Sequence, residues 1–293
     1  MKTTKLLFLL IINYLFLNSQ NNPFEFYGPY NAPVYNNIQD GYRNKESCYK
    51  LDLNYLPESE KIWTKLFEIK TVQVLQFSIN NLDTIPDGLG DLSQLNYLGI
   101  NAPLQILPQS IGYLNQLKSL KLMNTSLDSL APSMKFLYQL QEMEVHSNTD
   151  TLDLNLQFSQ LKKLRSLLLF QCVIDSISPQ FSLAPAIEEL YFIKTNFVHS
   201  YDSIAFPKHL KTLILNDNQI NSFPENILEL KQLNYLNLRT NQLEEIPEKI
   251  SRLTTLETLD VRENPLSPYQ LALLKALLPN TQILHDPIIE EEE

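Results

Sequence analysis

The phrase Leu-x-x-Leu-x-Leu/Val-x-x-Asn ends at Asn218, Asn241 and Asn264, a recurrence of 23 residues. Read outward, its opening residue falls at Val72, Leu95, Leu117, Leu140, Leu164, Ile187, Leu210, Leu233 and Leu256, at spacings of 22 to 24. A unit this short cannot bury its own apolar face, so nine copies restrict the chain to a stacked array with one continuous core. Within each copy the fourth and sixth positions, such as Leu213 and Leu215, carry the two-residue period of a strand with one buried face. Stacking pairs these strands in parallel.

The closing asparagine enters a turn, where a small polar side chain can satisfy backbone groups that would otherwise be buried without partners, at about 1–3 kcal/mol each. The expected rungs are Asn80, Asn148, Asn218, Asn241 and Asn264, with Thr125, Cys172 and Thr195 as hydrogen-bonding substitutes. The second copy departs, because Pro103 falls at the rung and the unit is one residue short; an irregular turn is expected near Asn101 to Pro103. The other half of each unit must cover the strand leucines from behind. Ile85-Pro86, Leu107-Pro108, Phe223-Pro224 and Ile246-Pro247 begin that return, and Ile227 with Leu230, or Ile250 with Leu253, follow at near-helical spacing.

The units from Leu210 to Thr255 closely resemble the leucine-rich repeat family, in the 23-residue form whose second half reads Leu/Ile-Pro-x-x-Ile-x-x-Leu. The resemblance implies an α/β solenoid, a curved horseshoe with a parallel β-sheet on the concave face and short helical or irregular segments on the convex face. It also implies binding of a partner rather than catalysis.

The expected division is a signal peptide over 1–19, an irregular segment over 20–47, an N-terminal cap over 48–71, nine repeats over 72–264, a C-terminal cap over 265–289 and an acidic tail over 290–293. Lys2 and Lys5 precede the apolar stretch Leu6 to Leu17, which is followed by Asn18-Ser19-Gln20: a secretory leader cleaved near Ser19 or Gln20 and too short to span a bilayer. No cysteine follows this stretch, which argues against a bacterial lipid anchor. The segment NNPFEFYGPYNAPVYNNIQDGYRNKES has neither helical nor strand period and is expected to lie on the N-terminal cap through Phe24, Phe26 and Tyr30. Strand character over Lys50-Leu-Asp-Leu-Asn-Tyr-Leu and helical spacing over Ile62 to Ile69 open the array. Ser267-Pro268 before YQLALLKALLP reads as a capped helix, with a last strand over Thr281 to Leu284. Cys48 and Cys172 lie some five coils apart, beyond the roughly 7 Å reach of a disulfide, and Cys172 is read as a buried rung.

Side chains alternating with the strand leucines project from the concave face. Among them Leu168, Phe170, Tyr191, Ile193 and Ile214 form an apolar cluster across three adjacent strands on a face expected to be wet. Glu142, Glu144 and His146 border it on one side; Tyr235, Arg239, Asp260 and Arg262 border it on the other. An apolar centre with a polar rim is the anatomy of a protein interface, so the binding residues are expected to be Leu168, Phe170, Tyr191, Ile193, Ile214, Tyr235 and Arg239. Glu142 and His146 stand about 13 Å apart along their strand and cannot share one metal. No catalytic residues, cofactor or metal site are assigned. Gly88-Leu-Gly90 lacks the rest of a nucleotide loop, and Asn124-Thr125-Ser126 is a formal glycosylation sequon. A net charge of −10 with scattered lysines excludes a nucleic-acid stripe.

The expected function is that of a non-catalytic, exported, monomeric binding protein, secreted or periplasmic, that takes a protein or glycan ligand on its concave face. The alternatives are a cytosolic scaffold resembling the Ras-associated repeat proteins and, third, an enzyme using the same face.

Overall fold

The computed structural model describes residues 22–54, 60–147, 151–198 and 201–287. The expected leader over 1–19, the rung at Asn148 and the tail over 290–293 lie outside them.

Twelve parallel strands form one sheet. Nine belong to the repeats: Val74–Ser78, Tyr97–Asn101, Ser119–Thr125, Glu142–Ser147, Ser166–Phe170, Glu189–Ile193, Thr212–Ile214, Tyr235–Asn237 and Thr258–Asp260. Val34–Tyr35 and Lys50–Leu53 extend the sheet at one end and Gln282–Leu284 at the other. The register stacks the fourth-position residues of successive repeats, Leu75, Leu98, Leu120, Met143, Leu167, Leu190, Leu213, Leu236 and Leu259, in one row. That row belongs to a single apolar core running from Ile38 to Leu278. The prolines at 86, 108, 224 and 247 each precede a short 3-10 helix on the returning half: Asp87–Asp91, Gln109–Tyr113, Glu225–Glu229 and Glu248–Arg252. Fixed φ and a missing N–H suit proline to such a start.

Repeats four to six return differently. Leu152–Leu154, Val173–Ile177 and Asn196–Phe197 pair as a second, three-stranded parallel sheet that the repeat phrase did not suggest. Repeats four and six have no proline at the start of the return, and in repeat five Pro179 comes only after the strand, at the start of the 3-10 helix Pro179–Leu183, so the backbone of all three strands keeps the donors that a ladder needs.

The turns after the strands fall into two kinds. In repeats three and five to nine, a non-glycine residue with positive φ sits seven positions after the opener: Asn124, Gln171, Lys194, Asp217, Thr240 and Glu263. The next residue is then turned inward as the rung. Asn218 Nδ2 donates to Phe192 O (2.6 Å), Asn241 Nδ2 to Leu215 O (2.8 Å) and Asn264 Nδ2 to Leu238 O (2.9 Å). Cys172 Sγ reaches Val145 O (3.6 Å) and Thr195 Oγ1 reaches Leu169 O (3.2 Å). In repeats one, two and four the strand alternation runs one step further, and Ile79, Ala102 and Ser147 are buried instead. Asn80 is therefore exposed and is not a rung. The second repeat shares its turn with the first rather than standing apart, since Ile79 N–H bonds Asn101 O and Ala102 N–H bonds Met123 O.

At the N-terminal end, the helix Glu60–Phe67 buries Trp63 and Leu66, and Trp63 meets Phe77 edge-on at 5.7 Å. At the other end, the side chain of Ser267 accepts from Gln270 N–H and starts the helix Pro268–Leu277, which buries Leu271 and Leu274. Both cysteines are free and buried.

Residues 22–44, expected to be irregular, carry two short helices, Pro23–Phe26 and Ile38–Arg43, and a strand, Val34–Tyr35. Asn22 and Asn37 cap the helices by accepting from Phe24 N–H and Asp40 N–H. Such caps satisfy the first free donors of a helix, and asparagine-rich sequence without a long apolar period can supply them.

Candidate functional site

Three rows of side chains cross the concave face in the register of the sheet. The first runs Tyr97, Ser119, Glu142, Ser166, Glu189, Thr212, Tyr235, Thr258. The second runs Gly99, Lys121, Glu144, Leu168, Tyr191, Ile214, Asn237, Asp260 by the same pairings. In the third, Phe170 lies between His146 and Ile193.

The apolar cluster expected from the sequence is contiguous, but two of its five members are not wet. Tyr191 is 4% exposed, Ile214 1% and Tyr235 9%, and they pack on one another with Leu168 and Ile193 half-buried beside them. Side chains on neighbouring strands start only about 4.8 Å apart, and on the inner side of a curved sheet they converge, so large residues there cover one another. Tyr235, expected on the polar rim, belongs to this apolar group. Its hydroxyl is pushed up to about 12 by burial and by the nearby Asp260 carboxylate. Phe170 is half-buried, with the His146 ring 5.0 Å from it and Lys194 Nζ 5.9 Å from its centroid. The accessible apolar surface is thus Leu168, Phe170 and Ile193.

The rim groups are paired. Arg239 Nε donates to Glu263 Oε1 at 2.9 Å, and Thr240 Oγ1 donates to the other oxygen at 2.8 Å. These two partners, the hydroxyl first, hold the Glu263 carboxyl below its usual range. Asp260, fully buried, accepts from Arg262 Nε at 2.9 Å, a bond that raises the guanidinium further. On the opposite side, Glu144 Oε1 lies 2.6 Å from His146 Nε2 and 3.1 Å from Lys121 Nζ. Burial alone would raise this carboxyl; the bond from His146 and the charge of Lys121 outweigh it and leave the carboxyl below its usual range. Glu142 does not join this group, because it faces the hydroxyl of Tyr27, which donates to Oε2 at 3.3 Å.

That contact comes from the N-terminal segment, whose position the sequence did not disclose. Phe24 is buried on the concave face between Val74 and Tyr97, not on the cap as expected, and Tyr27 lies 5.5 Å from the Tyr97 ring. Burial and the Glu142 carboxylate push the Tyr27 hydroxyl up to about 12. Lys50 Nζ holds Phe24 O at 2.5 Å. Gly28 has φ of 75°, and a Cβ there would stand 3.2 Å from Val74 Cγ2, so this close crossing of the sheet requires glycine. Phe26 and Tyr30 remain 64% and 88% exposed. The only signal for this wall was the density of aromatics between residues 24 and 30.

Between this wall and the sheet lies a groove of about 440 Å³, lined by Phe26, Tyr27, Tyr97, Glu142, Leu168, Glu189 and Tyr191 among others. It continues directly into the accessible apolar residues through Leu168. Among the described residues, no group of three His, Cys, Asp or Glu could hold a metal, and no helix is long and apolar enough to cross a membrane.

Residues 208–266 match the Leucine rich repeat family, and the fold as a whole is the leucine-rich repeat solenoid of solved proteins. The leucine-rich repeat domain of the type III effector XopL is similar over 86% of this chain and 90% of its own, at 22% identity and a TM-score of 0.60. A chain in the octameric complex of Latrophilin 3, Unc5D and the leucine-rich repeat protein FLRT2 is similar over 74% and 70%, at 24% identity and a TM-score of 0.61. An internalin of Listeria monocytogenes aligns over 76% and 78%, at 18% identity and a TM-score of 0.49. No curated protein matches the sequence.

Proposed function

We propose that this protein is a non-catalytic binding module, exported behind its N-terminal leader, that engages a protein or glycan partner through the concave face. The observation that carries this reading is the continuity of the groove with Leu168, Phe170 and Ile193. An accessible apolar strip beside a lined recess and a charged rim is the arrangement on which interfaces concentrate their binding energy. FLRT2, whose complex includes a chain of the same fold, is held in an assembly with Latrophilin 3 and Unc5D. The positions Leu168, Phe170, Tyr191, Ile193, Ile214, Tyr235 and Arg239 then divide by role. Leu168, Phe170, Ile193 and Arg239 offer atoms to a partner; Tyr191, Ile214 and Tyr235 form the packed base beneath them.

The test is capture of a native partner from the medium or envelope of the source organism on the immobilised chain, with Leu168→Ala/Phe170→Ala as the variant. These two side chains are accessible, so the variant is expected to keep its circular dichroism and lose capture. Undiminished capture would overturn the assignment. Tyr191 is a poor choice for this test, since truncating a buried aromatic costs about 3–5 kcal/mol in its own right. Sequencing the N-terminus of the mature chain tests export: a start near Ser19 or Gln20 supports it, and an intact Met1-Lys2 favours a cytosolic scaffold.

A further inference from the structure

The groove also specifies the chemistry of its occupant. Its charged lining is Glu142, Glu144, Glu189 and Lys121. Lys121 is already committed to Glu144, which also holds His146. The groove therefore keeps two carboxylates without a cationic partner of their own, Glu142 and Glu189. Each accepts one hydroxyl, from Tyr27 at 3.3 Å and from Tyr191 at 2.9 Å respectively. A carboxylate has about four acceptor directions, so both retain capacity for a charged donor.

Their placement is set by the sheet. Glu142 and Glu189 both pair in register with Ser166, one on each side, which puts their backbones about 10 Å apart with a small residue between them. The notch over Ser166 belongs to the same groove as the aromatic Phe26, Tyr27 and Tyr191 and the apolar Leu168. Acidic edges, aromatic faces and apolar surface suit a planar cation on an aliphatic stem, which pairs with carboxylates and stacks on rings together.

We propose that the concave groove binds an extended, arginine-bearing segment of a protein partner, with a guanidinium seated over Ser166 between Glu142 and Glu189. This rests on the proposed binding role of the concave face and names the partner chemistry for it. Charge complementarity selects this occupant: a net charge of −10 attracts cationic segments from a distance, and the notch is where unneutralised carboxylates meet apolar surface.

The experiment is fluorescence anisotropy of the full chain with a labelled hexa-arginine peptide, and with a hexa-glutamine peptide as the uncharged probe. Glu142→Gln/Glu189→Gln keeps the size of both side chains and acceptors for both tyrosines. It is expected to weaken hexa-arginine about tenfold. Glu244→Gln/Glu248→Gln, at exposed positions outside the groove, removes the same charge and is expected to change little. Circular dichroism of both variants checks that the fold is retained. Equal weakening by the two variants, no weakening by either, or equal binding of hexa-glutamine overturns the proposal. If Leu168→Ala/Phe170→Ala abolishes partner capture while Glu142→Gln/Glu189→Gln leaves hexa-arginine unaffected, the concave face still binds and only the cationic chemistry falls, as it would for a neutral glycan.

Discussion

Asn241→Ala tests the rung most directly. The Asn241 side chain is buried between two coils. Its Oδ1 accepts from Ile220 N–H at 2.9 Å and Asn218 N–H at 3.2 Å, and its Nδ2 donates to Leu215 O and Leu238 O, each at 2.8 Å. Alanine orphans two backbone donors and removes a donor from three carbonyls, the third being Arg239 O at 3.2 Å. Buried donors left without partners cost about 1–3 kcal/mol each, whereas carbonyls with a second lone pair tolerate the loss better. The sum is about 2–6 kcal/mol, concentrated at the contact between repeats seven and eight. Asn80→Ala is the matched control. It stands in the same phrase of the sequence, yet it is exposed while Ile79 fills the interior, so its cost should stay within about 0.5 kcal/mol. Urea unfolding followed by circular dichroism, with slopes compared between variants, reads both numbers. Equal losses at the two positions, or a loss below about 1 kcal/mol at Asn241, would refute the division of the turns into two kinds.

The remaining predictions concern packing, charge and thiols. Leu236→Ala, at a fully buried strand position, should cost about 2–5 kcal/mol in the same urea assay. Glu144 has its pKa lowered on folding, so its ion pairs stabilise the protein fully above the ordinary value of 4.5, and that contribution fades as pH falls through the lower folded value. Glu144→Gln should therefore melt below the parent at pH 7, with the gap closing as melts are repeated from pH 4.5 downward; a gap independent of pH would disprove the coupling. Burial pushes both Cys48 and Cys172 up to about 12, so neither should react with a thiol-specific chromogenic reagent at pH 8 until denaturant is added, when two thiols should titrate.

The fold was legible because two periods coincide. The interval between Asn218, Asn241 and Asn264 set the coil length, and the alternation within each copy set the strand. Ser267-Pro268 marked the closing helix for a local reason that needs no tertiary context. What escaped depended on neighbours far away in the chain. Asn80 and Asn218 occupy the same place in the phrase, but Leu75, Phe77 and Ile79 alternate one step further and keep the backbone extended, which turns Asn80 out. Tyr191, Ile214 and Tyr235 lie on the outward side by period, yet lateral crowding buries them, and period alone records direction without curvature. The wall made by Phe24, Phe26 and Tyr27 has no period at all; Tyr97 and Glu142, its contacts, lie 70 residues and more downstream.

The rungs that reach back to the preceding coil occur without interruption from Cys172 to Asn264, each bonding a carbonyl 26 or 27 residues earlier. Repeats one, two and four bury Ile79, Ala102 and Ser147 at the matching place. The solenoid is thus riveted backward along one half, while along the other the same turns are joined by backbone bonds and by the Thr125 and Ser147 hydroxyls, with a seam at the fourth and fifth coils. Under load or gradual heating, the amino-terminal coils should loosen first while the carboxy-terminal ones hold as a block. Amide hydrogen exchange should accordingly step down in rate on crossing Cys172, and a uniform profile along the array would show that the rivets add no strength.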